Sequence, residues 1–538
     1  MTAKTLMVQG TASSVGKSIL VAALCRIFKE DGLRVAPFKA QNMALNSYVT
    51  PDGLEVGRAQ AMQAEAAGVP VSIEMNPILL KPEGDAHSQL VLWGRPAGSY
   101  AAADYFQRKR ELWPVVVEAL ERLRSRFDLV VMEGAGSPAE VNLRESDIVN
   151  MRVARHADAP VLLVSDIDRG GVFASLVGTL ELLEPRDRGT VRGLVINKFR
   201  GDLALLQPGL DFLEQRTALP VLGVIPYLPR LRLAEEDSVA LDSRERAGNP
   251  HPDPLPGGED KSVLDVAVIR LPHIANYDEF DGLAAEPGVR VRFPQALGEL
   301  GMPDLVVLPG TKTTVADLLA LRASGLADAI LALARGSTPV LGICGGYQML
   351  GQRLLDPDGV ESPRTDIPGL GLLPIVTTFA HEKLTERVRA AIVGGLAPYP
   401  GPVPGYEIHM GRTLWQAQGR PPPPLGEGRG EGQAAVEGRP FAAVVERLGR
   451  PCADPDGAST LDGGIAGTYV HGLLEDAGYR AAFLEALAAR RGVRWQRRPA
   501  GADAGGFDRE GEYVRLAAAV RSSLDMGRIY EIAGLARP

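Results

Sequence analysis

The apolar run Thr5-Leu6-Met7-Val8-Gln9 ends in Gly10-Thr11-Ala12-Ser13-Ser14-Val15-Gly16-Lys17-Ser18, and an apolar-periodic pattern follows over 17–28. A strand, a glycine-bounded loop and a helix in this order constrain the chain to a parallel α/β sheet, because the loop presents successive N–H groups at the strand's C-terminal end. In that arrangement Gly10, Thr11 and Gly16 shape a cradle for phosphate oxygens. Lys17 would reach the outer phosphates and the Ser18 hydroxyl would ligate magnesium. The first glycine stands one residue further from Gly-Lys-Ser than in the common G-x-x-x-x-G-K-[ST] form.

Five more Val/Ile/Leu runs, at 34–38, 129–133, 160–165, 192–196 and 221–225, alternate with helical patterns that include 100–126 and 172–184. Runs of this kind are the signature of strands buried on both faces. The intervening segments are long enough for crossover helices, so a doubly wound α/β sheet is expected, with its ligand at the strand C-termini. A second α/β pattern has strands near 264–270, 289–293, 304–308, 339–343 and 466–470. Its fourth strand runs into Cys344, with glycines at 342, 345 and 346 that permit a sharp strand-to-helix turn. The thiol is read as a nucleophile, favoured as thiolate by the helix that starts beside it. The last strand delivers His471 in Gly467-Thr468-Tyr469-Val470-His471-Gly472, the base that such a thiol needs.

With 538 residues and 45% hydrophobic content the chain is expected to hold two or three domains. The boundaries predicted are 1–244 for the phosphate-loop domain, a Pro/Gly-rich linker at 245–262, and 263–538 for the cysteine domain. The second domain is expected to carry a low-complexity, mobile insertion at 417–435 and to be closed by helical patterns over 478–536. A net charge of −8, from 66 acidic and 58 basic residues, gives no electrostatic footprint for nucleic acid or an anionic membrane. Cys25, Cys344 and Cys452 form neither a disulfide framework nor a zinc site. No apolar segment approaches the length of a membrane span, and no signal peptide is evident at the N-terminus. A soluble cytoplasmic protein is therefore expected, and a homo-oligomer is possible.

A phosphate loop joined to a Cys/His module resembles the glutamine amidotransferases that amidate cobyrinic acid, and the longer loop spacing resembles dethiobiotin synthetase and its relatives. The resemblance covers nearly the whole chain. Three strings are similar to the cobyric acid synthase branch of that family: Lys39-Ala40-Gln41-Asn42-Met43-Ala44-Leu45-Asn46-Ser47, Glu133-Gly134-Ala135-Gly136-Ser137-Pro138-Ala139-Glu140-Val141-Asn142-Leu143, and Asp147-Ile148-Val149-Asn150-Met151. The related a,c-diamide synthases differ after the second strand. The resemblance implies a P-loop domain followed by a class I glutamine amidotransferase-like domain. It also implies ATP-dependent amidation of four peripheral carboxylates of adenosylcobyrinic acid a,c-diamide, a corrinoid substrate on the route to adenosylcobalamin, with glutamine as ammonia donor and Mg2+ as cofactor.

By the same resemblance, Glu133 joins Ser18 in holding magnesium, Lys39 neutralises charge on the transferred phosphoryl group, and Asn197 hydrogen-bonds the nucleotide base. ATP would convert the carboxylate, whose oxygen is a very poor leaving group, into an acyl phosphate that ammonia displaces. Cys344 would attack the glutamine carboxamide with His471 shuttling protons, and the backbone N–H groups of Gly310 and Gly345 would hold the oxyanion. Two departures stand out. Thr313 occupies a position where asparagine is usual, and His471-Gly472-Leu473 replaces His-Pro-Glu, so a Cys/His dyad is expected, with Glu475 as a substitute third member. His409, in Tyr406-Glu407-Ile408-His409-Met410-Gly411, ranks second as base. Two alternatives stay open: a related amidotransferase acting on another carboxylate, such as the a,c-diamide step or a cell-wall precursor, and a regulatory partition-type ATPase fused to an inactive glutaminase module.

Overall fold

The computed structural model describes residues 2–84, 86–229, 231–233, 264–416, 438–495 and 508–537. The linker expected at 245–262 and the insertion expected at 417–435 lie outside the described residues. The chain divides into two units, Met1–Glu236 together with Asp508–Pro538, and Asp237–Phe507.

The first unit is built on six parallel strands: β1 (Lys4–Gly10), β2 (Val35–Phe38), β3 (Leu129–Glu133), β4 (Val161–Asp166), β5 (Val191–Phe199) and β6 (Val221–Pro226). Their spatial order is β6-β5-β4-β1-β3-β2. β3 and β4 are buried at every residue, their apolar runs Leu129–Met132 and Val161–Val164 covered on both faces and their polar ends, Glu133 and Ser165-Asp166, lying at the C-terminal edge of the sheet. β1 lies between β3 and β4, with Val8 opposite Glu133, so the loop that leaves β1 emerges beside the carboxylate that ends β3. The helix α1 (Lys17–Glu30) starts after Gly16, whose φ of +98° is a conformation in which a side chain is strained.

Between β2 and β3 the chain forms a feature that periodicity did not reveal. Strands Gln41–Met43, Ile78–Gly84, His87–Leu92 and Arg95–Ala101 make a small mixed sheet, and Ser47–Val49 pairs with Glu55–Gly57. The strands at 41–43, 47–49 and 55–57 have three residues, too few to show a period of two, and the longer ones are interrupted by proline, glycine and polar residues. The helix α2 (Arg58–Ala67) follows and packs on α1.

In the second unit β7 (Leu264–Val268), β8 (Val289–Arg292), β9 (Leu305–Leu308), β10 (Val340–Ile343) and β11 (Ile465–Thr468) are parallel, in the order β8-β7-β9-β10-β11. The helix α3 (Thr314–Ala323) follows β9, and α4 (Gly345–Leu350) follows β10. A separate sheet contains the long antiparallel pair Ile375–Ile392 and Tyr399–Trp415, also unread in the sequence pattern.

The C-terminal segment corrects one expectation. Helix Ala477–Arg491 belongs to the second unit, but α5 (Arg509–Ser523) and α6 (Met526–Ile532) belong to the first and close it instead. Leu516, Val520, Ile529 and Tyr530 share one buried cluster with Leu20, Leu24 and Phe28 of α1. Asp31, just past α1, accepts hydrogen bonds from both terminal nitrogens of Arg521, at 3.0 and 2.9 Å, and from the Tyr530 hydroxyl at 2.5 Å. An amphipathic pattern shows that a helix will bury one face, but not which core receives it. Leu516→Ala should therefore cost the first unit about 2–5 kcal/mol. In a thermal melt the first unit should unfold earlier while the transition of the second unit stays in place.

Candidate active sites

Cys344 stands between β10 and α4 with φ +52° and ψ −109°, a positive-φ conformation rare for a residue with a Cβ and enriched at functional sites. Its surroundings leave little alternative. A Cβ on Gly346 would lie 1.9 Å from Leu308 O, and one on Gly342 would lie 2.7 Å from Gly346 O, so the turn closes only with glycine at both places. The Cys344 N–H donates to Thr468 O at 2.8 Å and the thiol donates to Ile408 O at 3.4 Å.

His471 lies three residues beyond β11 and is almost fully buried. Its backbone exchanges hydrogen bonds with Tyr406, at 2.8 and 3.2 Å, and its ring stacks on the Tyr406 ring. The ring Nδ1 is 3.1 Å from Glu279 Oε1, and the other Glu279 oxygen accepts from Gly472 N–H at 3.1 Å. A carboxylate only accepts, so Nδ1 carries the proton and Nε2 is left to face the thiol. Burial alone would lower the imidazole pKa, but the Glu279 charge and the hydrogen bond with Cys344 outweigh it and raise it to about 10.

This corrects the expectation of a dyad. The third member is Glu279, from the short helical turn Tyr277–Phe280, and not Glu475. Glu279 precedes His471 by 192 residues, and nothing in Asn276-Tyr277-Asp278-Glu279-Phe280-Asp281 distinguishes one of its three carboxylates from the others. His409, the second-ranked base, stacks on Tyr469 at 3.7 Å between ring centroids. Burial pushes its pKa down to about 3, so it is uncharged at neutral pH.

The loop after β9 lies against both reactive residues. A Cβ on Gly310 would be 2.8 Å from His471 Cε1, so this glycine makes room for the imidazole. A Cβ on Gly345 would be 3.3 Å from Thr311 N, which places the Thr311 N–H beside the nucleophile turn. Gln348, one turn into α4, is tied by Thr314 Oγ1 at 2.9 Å, Met410 O at 3.0 Å and the Tyr469 hydroxyl at 3.1 Å.

The first unit carries the phosphate loop. Gly10 is held there by close packing, since a Cβ would lie 2.6 Å from Val15 Cγ2. Thr11 Oγ1 is 2.8 Å from Ser165 Oγ, and Lys17 Nζ donates to Ala12 O at 2.9 Å and Gly136 O at 3.2 Å. Asn197 Nδ2 donates to Val15 O at 2.9 Å, and a Cβ on Gly16 would lie 2.1 Å from the same nitrogen. The side chain expected at a nucleotide base is thus engaged in holding the loop. Lys198, which motif reading passed over, does likewise through Ser14 O at 2.7 Å and Asp166 Oδ2 at 3.0 Å.

Glu133 is the centre of this site. It is 1% exposed, and its Oε1 accepts from Ser18 Oγ at 2.8 Å and Lys39 Nζ at 2.9 Å, while Oε2 accepts from Gln63 Nε2 at 2.6 Å. Burial alone would raise the carboxyl pKa, but the Lys39 ammonium holds it below the ordinary range. Gln63 has no motif around it and went unread. The oxygen donors of Ser18 and Glu133 suit a hard cation. Among the described residues no cluster of three metal-binding side chains exists, so phosphate oxygens and water would complete the coordination.

Two tests follow from these geometries. His471 has a raised pKa, so its charged pair with Glu279 stabilises the fold fully below about pH 6.5 and loses that contribution as pH rises through about 10. Glu279→Gln should abolish this alkaline loss of stability in the second unit, shift the alkaline limb of thiol-dependent turnover to lower pH, and reduce its rate about 10²-fold or more. Glu133→Ala should strand Lys39 in the interior and destabilise the first unit by about 3–5 kcal/mol, seen in denaturant unfolding.

Comparison with known proteins places these two sites in context. Residues 6–240 match the model of the CobQ/CobB/MinD/ParA nucleotide binding domain, and residues 265–479 match that of the CobB/CobQ-like glutamine amidotransferase domain. A cobyric acid synthase of Sorangium cellulosum is 53% identical over 551 residues, covering 100% of both chains. Another, of Pelotomaculum thermopropionicum, is 51% identical and covers 100% of this chain and 98% of its own, and one of Dehalococcoides mccartyi is 50% identical over 98% of each. With two domain families in this order and such identity along its whole length, the chain belongs to the cobyric acid synthase family of glutamine-dependent amidoligases.

Proposed function

We propose that this chain uses glutamine and ATP to amidate the four peripheral carboxylates of adenosylcobyrinic acid a,c-diamide, giving cobyric acid in adenosylcobalamin biosynthesis. The observation that carries the reading is an intact Cys344–His471–Glu279 triad in the same chain as a phosphate loop whose Ser18 meets a buried, ionised Glu133. An inactive glutaminase-like module would have no chemical need for the triad.

In the second unit, the Cys344 thiolate attacks the carboxamide carbon of glutamine. The carbonyl electron pair moves to oxygen, where the N–H groups of the Gly310–Thr311 loop and of Gly345 support it. His471 then gives its Nε2 proton to the departing nitrogen, releasing ammonia and leaving a glutamyl thioester. Water, deprotonated by the same imidazole, hydrolyses the thioester to glutamate and free thiol. Glu279 holds the ring in one tautomer and stabilises its charge.

In the first unit, the loop from Gly10 to Gly16 and Lys17 hold the phosphates of ATP. Ser18 and Glu133 would hold Mg2+, which neutralises phosphate charge when bound. A substrate carboxylate oxygen takes the γ-phosphoryl group as its bond to the β-phosphate oxygen breaks and ADP leaves, and ammonia then displaces phosphate from the acyl phosphate, losing a proton, to form the amide. Lys39 lies against Glu133, where its charge can answer the developing phosphoryl charge. The net charge of −8 gives no support for a nucleic-acid partner, and among the described residues no helix is long and apolar enough to cross a membrane.

The test is mass spectrometry of the corrinoid product after incubation with magnesium-ATP and either glutamine or an ammonium salt. The wild-type chain should carry out four successive amidations with either nitrogen source, and none without ATP. Cys344→Ser should lose amidation with glutamine and keep it with ammonium. Glutamine hydrolysis without corrinoid amidation would reject the substrate, and glutamine use by Cys344→Ser would reject the nucleophile.

A further inference from the structure

One polar cluster of the second unit, outside the triad, joins the segment that leads to Glu279 to the loop after β9. Asp317, one turn into α3, is fully buried, and a buried carboxylate is costly unless its oxygens are hydrogen-bonded. Its donors come from two separate segments. His273 N donates to Oδ2 at 3.1 Å, the His273 ring Nδ1 lies 2.7 Å from Oδ1, and the Thr311 hydroxyl makes a short hydrogen bond to Oδ2. The carboxylate only accepts, so His273 Nδ1 carries its proton toward Asp317.

The same residues are stitched together by backbone. Ala275 N–H donates to Gly310 O at 2.9 Å and Lys312 N–H to His273 O at 3.1 Å, which pairs Ile274 with Thr311 in a one-residue antiparallel bridge. Thr311 Oγ1 also reaches His273 O at 3.1 Å. The segment that carries His273 continues into Glu279, the partner of His471, and Thr311 presents its N–H beside Gly345. One buried carboxylate therefore ties the loop that orients the base to the loop that faces the developing oxyanion.

We infer that His273 and Asp317 are positioning residues of the glutaminase step, fixing Thr311 and Gly310 where charge accumulates on the glutamine carbonyl oxygen. This rests on the glutaminase reading proposed above. Their effect is on the placement of the N–H donors. Donors aimed at the oxyanion act in the transition state more than in the ground state, so their displacement lowers kcat and leaves KM nearly unchanged.

The experiment compares wild type, His273→Ala, His273→Asn and Asp317→Asn in glutamine hydrolysis, with iodoacetamide alkylation of Cys344 as a second readout. Alkylation forms an S–C bond as iodide leaves and develops no oxyanion, so it reports on the thiol and His471 alone. His273→Ala and Asp317→Asn should lower kcat about 10–100-fold, keep KM for glutamine within about twofold, and alkylate at the wild-type rate. His273→Asn, whose Nδ2–H takes the place of the Nδ1–H, should recover most of kcat. Unchanged kcat in His273→Ala, alkylation that slows in parallel with kcat, or no recovery by asparagine would overturn the inference while an active wild type leaves the glutaminase reading standing. A wild-type chain that alkylates but does not hydrolyse glutamine would overturn both.

Discussion

The thiol site depends on a backbone that changes from strand to helix within a single residue. Holding Cys344 at positive φ costs on the order of 1–3 kcal/mol. The conformation persists because what surrounds it is over-determined: Gly346 lies against Leu308 O, the Cys344 N–H is taken by Thr468 O, and β10 is paired along its length with β9 and β11. The strain has a use, because it leaves the sulfur beside Ile408 O and the imidazole rather than folded into the sheet. Once the turn is set, the positions of His471, Gly310 and Thr311 follow from the neighbouring strand ends.

Both units solve the same electrostatic problem in different ways. Each places a carboxylate in an almost dry interior, where an isolated charge would cost several kcal/mol. Glu133 is satisfied by Lys39, Ser18 and Gln63, so it stays ionised and its oxygens are oriented at the edge of the phosphate loop. Glu279 is satisfied by His471 and the Gly472 N–H, which transfers the stabilisation to the imidazolium. In the first case an ammonium neutralises the buried carboxylate. In the second an imidazolium does so.

Much of this was legible in the chain itself. Most parallel strands of both sheets appear in the sequence as apolar runs rich in Val, Ile and Leu, because strands covered on two faces have little polar side to show, whereas the edge strand β8, Val-Arg-Val-Arg, alternates. The phosphate loop and the cysteine turn were legible for a related reason: glycine at 10 and 342 is demanded by contacts a few residues away and at 16 by φ itself, while at 346 it is Leu308 of the neighbouring strand that leaves no room for a side chain. The strands between 41 and 101 were not legible: those at 41–43, 47–49 and 55–57 have three residues and carry no period, and the longer ones at 78–84, 87–92 and 95–101 hold prolines, glycines and polar residues that mask one. Asn197 reads as a base-recognition residue from its place at a strand end; that one of its amide N–H groups also reaches Val15 O, 182 residues away in sequence, was not legible.

What the sequence by itself determined is everything that rests on local pattern: two α/β sheets, a loop fit for phosphate, a strained cysteine, and a histidine near a strand end. The tertiary structure decided the partners. It chose Glu279 over Glu475 for His471, lodged α5 and α6 against α1 rather than in the second unit, and brought Gln63 to Glu133 and Asp317 to His273. The physical reason is the same in each case. A helix face or a lone carboxylate is satisfied by any complementary surface, and only the folded chain, with its strand order and close-packed turns, brings one such surface within hydrogen-bond distance.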